Sequence, residues 1–190
     1  MENKILVLIL SIVAIALLGV TFAVPMTEMT MTVSGQSTQA TATYFGATVS
    51  NTYTSWSNVS NSFSSSTGTI HSDVMNGIAM ITASLVTMIL GIIFSLLAIV
   101  FAFVDKGGRT LKLLMPLLSV IFVGTTIGLF IAGTSSVASG YAAAIQAFSP
   151  SATVTTGLIY GAYIAIVGLI VEVIVLILSL MVKPKKAAAS

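Results

Sequence analysis

The 190-residue sequence has no cysteine, one histidine and five carboxylates. Without cysteine the chain can form no disulfide, thiolate zinc site, iron–sulfur site or thiol nucleophile. His71 is its one imidazole, and Asp73 lies too close in sequence to orient that ring for nucleophilic catalysis. Asp73 fits better as a cap of the following helix. The sequence therefore predicts a protein that is not an enzyme and needs no cofactor.

Charge is also scarce, with seven basic and five acidic residues making up 6% of the chain. A soluble domain carries about 25% charged residues, so an ordinary cytosolic domain and a disordered tail are excluded. The net charge of +2 is too small for a basic patch that would follow a phosphate backbone. We therefore expect no nucleic-acid partner.

Apolar residues make up 56% of the chain and are concentrated in four long runs. A run of about 20 apolar residues is long enough to cross a bilayer as a helix. The first run starts at Ile5 and is longer than the core of a cleaved signal peptide, which favours an uncleaved anchor. The sequence predicts an all-α membrane protein, a bundle of four transmembrane helices, with spans in segments 1–24 (which includes the N-terminus), 76–104, 110–133 and 156–182.

The basic residues give the predicted orientation. Lys4 precedes the first run, three basic residues lie near the 105–109 turn, and the other three are in the 183–190 tail. Because basic residues remain on the cytoplasmic side, both termini and the turn are predicted to be cytoplasmic. Segments 25–75 and 134–155 have no Lys or Arg and are predicted to lie outside a cell membrane, or the equivalent virus or vesicle envelope.

The first outer segment, 25–75, contains 22 Ser or Thr among 51 residues. Apolar and hydroxyl residues alternate over 29–33 and again over 40–53, and this period of two is typical of β-strands. We expect a small antiparallel sheet with its turn at 34–37, followed by a Ser-rich loop over 57–69. A polar linker is the alternative, but it would not require so many aromatic residues. Asn58 begins an Asn-Val-Ser glycosylation sequon.

The second outer segment, 134–155, has apolar residues at Tyr141, Ile145 and Phe148. This spacing predicts one or two helical turns lying at the membrane interface.

Small residues recur within the predicted spans and favour close contact between helices in lipid. They can pack helices within one chain, bind a neighbouring subunit, or do both. The candidate packing residues are Gly91, Ser95, Gly124, Gly128, Gly157, Gly161 and Ala165.

Glu172 is the one carboxylate deep within a predicted span, where it costs about 3 kcal/mol on insertion scales. It lies eleven residues after Gly161 and seven after Ala165, so all three share one helix face. Two interpretations follow. Glu172 could relay a proton or cation or pair with an ion in a complex, or it could be protonated and hydrogen-bond a Ser or Thr of a neighbouring span.

Met26, Met29 and Met31 with His71 form a candidate Cu(I) site, because thioethers suit this ion. The alternative is that alternation along a strand buries Met29 and Met31, with Met26 at the membrane boundary.

The layout resembles that of claudin-like four-span junction proteins, with both ends inside and strands in a large first loop. Those families place cysteines around a tryptophan-centred signature in this loop, whereas this chain has Trp56 without cysteine. No family residue can therefore be carried over. An outward loop without cysteine suits a prokaryotic or archaeal cell envelope.

Together these features predict a non-enzymatic tetraspan protein that assembles laterally. It would be a structural envelope component or an accessory subunit of a membrane complex, with the bilayer and other subunits or further copies as partners. The alternatives are a channel or ion-coupled carrier that uses Glu172, and a membrane-active toxin.

Overall fold

The computed structural model describes residues 2–65, 68–103 and 108–181. Within these residues the fold is mostly helical, with one small antiparallel sheet. Most of the predicted turn at 105–109 and the whole tail at 183–190 lie outside the described residues. In chain order the elements are α1 Glu2–Val20, β1 Thr27–Val33, β2 Gln36–Ala42, β3 Gly46–Val49, β4 Thr52–Ser55, α2 Trp56–Ser62, α3 Thr69–Phe103, α4 Gly108–Gln146, β5 Thr153–Leu158 and α5 Tyr160–Met181.

Helices α3 and α4 form a long antiparallel hairpin. Their buried residues recur at alternating spacings of three and four, the repeat that keeps two helices in contact over many turns. Many of the side chains in the contact between α3 and α4 are small, so the two backbones approach closely. On α3 the buried residues are Val74, Gly77, Ile81, Ser84, Met88, Gly91, Ser95 and Ala98. The α4 residues facing them include Ser119, Val123, Thr126, Phe130, Gly133, Val137 and Gly140.

Both helices of the hairpin are longer than predicted. Helix α3 begins at Thr69, not at 76, and α4 continues to Gln146 through most of the segment predicted as an outer loop. With 35 and 39 residues, the helices measure about 52 and 58 Å, well beyond a hydrocarbon core of about 30 Å. The helix ends around residues 69–75 and 134–146, called the projecting end of the hairpin, therefore extend beyond the length that one crossing requires. Ser72 and Asp73 lie inside α3 and do not cap it.

Helices α1 and α5 complete the bundle. Helix α5 packs against α1 and α4, and α1 packs against α3 and α5. Helix α5 begins at Tyr160, because residues 153–158, which were divided between an outer loop and the fourth span, form β5.

Three helices are long and apolar enough to cross a membrane: α3, the 110–146 part of α4, and α5. Helix α1 is equally apolar but shorter, over Lys4–Val20. Large apolar side chains also line the outside of the bundle, as at Ile89, Ile121 and Ile170. Exposed apolar surface on this scale needs lipid or protein to cover it. The fold is thus that of a multi-pass membrane protein with at least three spans.

The predicted antiparallel sheet is confirmed, and its strand order is β4-β3-β2-β1-β5. Strands β1 and β2 are joined at Ser34 and Gly35, where φ is 51° and 82°. Two consecutive positive φ angles are typical of the tight hairpin turn that matches strand twist. The fifth strand comes from the second outer segment and pairs with β1, Thr30 opposite Thr155. This strand was not predicted.

The Ser-rich loop predicted over 57–69 is partly helical. Ser55 caps α2, its hydroxyl accepting from the Asn58 amide at 3.3 Å. Trp56 is buried and donates its indole N–H to the Thr43 carbonyl at 3.0 Å. The short helix thus ties the sheet to the projecting end of the α3–α4 hairpin.

The sheet and the bundle share one continuous core. Tyr44, between β2 and β3, packs its ring against Phe22 after α1 and Phe130 of α4, at centroid distances of 5.5 and 5.0 Å. Backbone hydrogen bonds join the same region, because Gly161 donates to the Pro25 carbonyl at 3.2 Å. The sheet is therefore fixed at one end of the bundle.

Candidate functional site

Glu172 lies inside the helical bundle with its side chain 0% exposed. The Ser95 hydroxyl donates to its Oε1 at 2.6 Å, a short bond that links α3 to α5. Ser119 of α4 lies near the same carboxyl, and its hydroxyl donates to the Gly91 carbonyl at 3.0 Å. The second oxygen, Oε2, is buried and has no hydrogen-bond partner within the described part of the chain.

The inward direction of Glu172 follows from the pattern of α5. Gly161, Ala165, Gly168, Glu172 and Val175 are all buried, and their spacings of four and three residues put them on one helix face. The other faces of α5 carry Ile, Leu and Val, several of which are exposed on the outside of the bundle, as at Ile170 and Ile177. The bundle therefore places the carboxyl on the face made of small residues, as its spacing from Gly161 and Ala165 predicted.

Ser11 contributes a polar group from α1. It is 0% exposed, and its hydroxyl has no partner among the described residues. A side chain at Gly168 would contact Leu18, and counting along the two antiparallel helices from this pair places Ala14 opposite Glu172. Ser11 is three residues before Ala14, about one turn closer to the N-terminal end of α1. All four long helices thus contribute one polar side chain to this part of the bundle.

Further hydroxyls join α3 and α4 toward the sheet. Thr87 and Thr126 are 2.7 Å apart through their hydroxyl oxygens. Ser136 donates to the Asp73 carbonyl at 2.8 Å. Such bonds between spans contribute about 0.6 kcal/mol each on average. Their main effect is therefore to fix the register of α3 against α4, and their contribution to stability is small.

Four predicted packing residues lie at contacts within the bundle, including Ser95, which is buried and bonds to Glu172. A Cβ atom at Gly91 would lie 2.8 Å from Val123 Cγ2, one at Gly161 would collide with the Pro25 carbonyl oxygen, and Ala165 is fully buried. Sequence reasoning missed Gly77 and Gly133, where each Cβ would lie within 2.7 Å of the other residue's carbonyl oxygen. Gly77 stood at the start of the predicted 76–104 span and Gly133 at the end of the predicted 110–133 span.

The other predicted packing glycines are not used inside the chain. Gly157 lies in β5, opposite Glu28, and does not pack a helix, because the chain there is extended before α5 begins. Gly124 and Gly128 do lie on α4, but a Cβ atom added at either would meet nothing within 4 Å. Their face of α4 is directed away from the bundle.

The candidate copper ligands are distributed over several environments. Met26 is in the main core beside Leu18 and Tyr44, whereas Met29 and Met31 belong to a second apolar cluster beneath the sheet. The His71 ring bonds to the Phe63 carbonyl through Nδ1 at 3.0 Å. Across the described residues no three His, Asp or Glu side chains gather into a metal site.

An apolar cavity of about 70 Å³ lies between the sheet and the projecting hairpin. Met29 and Met31 form part of its wall on the side of the sheet. The other walls come from α2 and α4. Its lining residues include Met29, Met31, Trp56, Val59, Val137 and Tyr141.

Two further side chains near the sheet have defined surroundings. Asn58 is exposed on α2, with its sequon partner Ser60 donating to the Met75 sulfur at 3.3 Å. Burial among aromatic rings raises the pKa of the Tyr44 phenol well above its ordinary value.

The sequence matches no protein family and no curated protein. Fold and composition define a multi-pass membrane protein with a small antiparallel β-sheet at one end of its helical bundle.

Proposed function

We propose that α1 is a fourth membrane span, with both termini cytoplasmic and the sheet outside. Nineteen residues measure about 28 Å, close to the hydrocarbon thickness. Helix α1 packs antiparallel to α5, with Leu18 opposite Gly168 and Pro25 opposite Gly161. Its outer face exposes Ile5, Ile9 and other apolar residues. A helix aligned in this way beside a spanning helix shares its membrane depth. The distribution of basic residues supports the orientation.

We further propose that the protein is non-enzymatic and assembles laterally. One observation carries this proposal: the outward face of α4 is a line of small residues that the chain's own bundle leaves uncovered. Gly128, Ala132 and Ser135 are exposed on this face, and Gly124 is half-buried beside them. Large apolar side chains cover the outward face of α5, as at Ile170 and Ile177. The difference marks α4 as the helix suited to close contact with another helix.

The physical reason lies in how helices associate in lipid. Lipid tails and apolar side chains are equally apolar, so association depends on close packing of backbones. Gly124, Gly128 and Ala132 follow a spacing of four, which produces a shallow groove along α4. A second helix can approach this groove more closely than it can approach Ile or Leu. The partner is another copy or another subunit of a membrane complex, and the outer sheet would add specific contacts.

The resulting role is that of a structural envelope component or an accessory complex subunit. An ion-coupled carrier is the alternative function, and Glu172 is the feature that favours it. Transport would require this carboxyl to reach both membrane faces in turn. Its complete enclosure by the bundle favours a fixed role instead.

The test replaces Gly128 with leucine, which fills the α4 groove without touching the bundle interior. Gly19→Leu is the matched control on α1, because a Cβ atom at Gly19 also meets nothing within 4 Å and its exposed neighbours Ala16 and Ala23 are likewise small. Particle mass is measured by light scattering in mild detergent, and subunit number by single-molecule photobleaching in liposomes.

The proposal predicts an oligomer for the wild type and Gly19→Leu, and a smaller particle for Gly128→Leu. A wild type that is monomeric under both conditions contradicts lateral self-assembly. A mass that exceeds one chain because a different protein co-purifies identifies the accessory-subunit form instead.

A further inference from the structure

The loop that joins β2 to β3, residues 43–45, carries an exposed aromatic ring at the end of the sheet nearest the bundle. Phe45 is 51% exposed, whereas its neighbour Tyr44 is buried. We propose that this loop lies at the membrane surface and inserts the Phe45 ring into the lipid leaflet beside the helices. The inference rests on the proposed arrangement of the bundle across the membrane and adds lipid as a partner of the sheet.

The first support is the level of the loop along α4. The Tyr44 ring packs against Phe130, with 5.0 Å between the ring centroids. Phe130 lies twenty residues after Thr110, where the apolar part of α4 begins. Basic residues around Thr110 place one membrane boundary near that residue. Twenty helical residues measure about 30 Å, the thickness of a hydrocarbon core, so the loop lies level with the other boundary.

Helix α5 indicates the same boundary from its own residues. Its 22 residues, Tyr160–Met181, measure about 33 Å, which is enough for one crossing. Tyr160 and Tyr163, in its first turn, are both more than half exposed. Exposed tyrosines are enriched at the interface between lipid and water, so the first turn of α5 fits this interface.

Backbone hydrogen bonds connect the first turn of α5 to the loop. The Gly161 amide donates to the Pro25 carbonyl at 3.2 Å, and the Met26 amide donates to the Ala42 carbonyl at 2.8 Å. Ala42 is the last residue of β2, and the loop follows it directly. The loop and the first turn of α5 therefore lie at the same end of the bundle.

The backbone of the loop is already bonded within the protein. The Phe45 carbonyl accepts hydrogen bonds from the Tyr53 hydroxyl at 2.9 Å and the Trp56 amide at 3.3 Å. The Phe45 amide donates to Thr43 Oγ1 at 3.2 Å. The Thr43 amide donates to the Gly46 carbonyl, and the Thr43 carbonyl accepts from the Trp56 indole. Unbonded backbone groups are costly where water is scarce, and neither Thr43 nor Phe45 brings this cost to the membrane surface.

The surroundings of the loop also carry no formal charge. The sequence has no Asp, Glu, Lys or Arg between positions 29 and 72. A charged side chain is costly to bring into lipid, whereas an exposed phenylalanine ring gains free energy on leaving water. A protein partner would need a matching apolar surface at this level, but lipid surrounds every copy of the bundle there. Lipid is therefore the occupant that this surface fits.

The test uses single cysteines in the full-length protein, which has no native cysteine. Phe45→Cys, Ser37→Cys and Ile170→Cys are each coupled to a nitroxide spin label and reconstituted into liposomes. Electron paramagnetic resonance then compares collisions of the label with O₂, which concentrates in lipid, and with a water-soluble nickel chelate. Ser37 is the matched control, because it is exposed on β2 about 17 Å along the strand from Ala42. Ile170, exposed on α5, is the reference for lipid.

Collisions with O₂ should exceed those with nickel at Phe45→Cys and Ile170→Cys, and the order should be reversed at Ser37→Cys. More collisions with nickel than with O₂ at Phe45→Cys, while Ile170→Cys reports lipid, overturns the proposal by placing the loop in water. Protection of the Phe45→Cys label from both reagents also overturns it, because protein then covers the loop.

A second measurement uses the wild type, so it does not depend on the folding of Phe45→Cys. A phospholipid with a diazirine near the head of its acyl chain is photoactivated in the liposomes, and adducts are located by mass spectrometry. Adducts should form on residues 43–46 and not on residues 34–37, and their absence from 43–46 contradicts the insertion. Labelling of Ser37→Cys with an impermeant maleimide in intact cells reports the side of the membrane separately. A wrong orientation of the bundle and a loop that stays in water therefore give different results.

Discussion

Replacing Gly77 with alanine tests the close backbone contact at which α3 and α4 cross. A Cβ atom at Gly77 would lie 2.6 Å from the Gly133 carbonyl oxygen and 2.8 Å from the Val137 amide nitrogen. Both are backbone atoms, so the added methyl group can be accommodated only if the helices move apart. We expect Gly77→Ala to be destabilising.

The magnitude follows from comparison with Gly124→Ala on the opposite side of α4. There the added methyl group meets nothing within 4 Å. Alanine is favoured over glycine in a helix by about 1 kcal/mol, and this contribution is common to both variants. It cancels in their difference, which leaves the cost of overpacking, about 1–3 kcal/mol.

The free energy of unfolding can be measured in mixed detergent–SDS micelles by far-UV circular dichroism. Gly77→Ala should be less stable than Gly124→Ala by about 1–3 kcal/mol. Fluorescence of Trp56, the one tryptophan of the chain, reports whether the outer region unfolds in the same transition. Equal stability of the two variants would refute the close crossing of α3 and α4. It would also contradict the pairing of their buried residues at alternating spacings of three and four.

Two further predictions concern the burial of Tyr44 and the contact between the hydroxyls of Thr87 and Thr126. Burial raises the pKa of the Tyr44 phenol in the folded protein, so the unfolded state loses this proton first and stability falls as pH rises above about 10. Tyr44→Phe should show a smaller alkaline loss of stability than the wild type, and equal pH profiles would contradict the burial of this phenol. In a double-mutant cycle, Thr87→Val and Thr126→Val should couple by about 0.6 kcal/mol, whereas additive effects would show that the 2.7 Å contact is not formed.

The long helices and the first hairpin could be predicted because their signals are local. Continuous apolar runs indicated α3, α4 and α5, and alternation of Met29, Met31 and Val33 indicated β1. The tight turn at Ser34 and Gly35 follows from residues that tolerate positive φ. Each of these features depends on neighbours within a few positions, so it is visible in one sequence.

The projecting part of the hairpin could not be predicted from hydropathy. Residues 134–146 are rich in Ser, Ala and Gly, and this composition is typical of a loop. Contacts made far away in sequence keep them helical, as between Gly140 and Val74 or Ser136 and Asp73. Strand β5 is a similar case, because pairing with β1 over 120 positions away decides its conformation.

The candidate site could likewise be predicted only in part. The angular position of Glu172 followed from helix geometry alone, but nothing local distinguishes Ser95 or Ser119 from other serines. The spacing of the small residues also did not indicate which of them face the bundle interior. Gly91 packs inside the bundle, while Gly128 faces outward. Their spacings are alike, and the direction each glycine faces depends on how α4 is rotated against α3.

Topology mapping tests most directly the claim that four helices cross the membrane with the sheet outside. The absence of native cysteine allows single cysteines to be labelled with a membrane-impermeant maleimide in intact cells. Ser37→Cys and Ser151→Cys should react in intact cells, whereas Asn3→Cys and Lys185→Cys should react only after permeabilisation. Labelling of Asn3→Cys together with Ser37→Cys in intact cells would show that α1 does not cross. Labelling of Lys185→Cys with Ser37→Cys would contradict the whole arrangement.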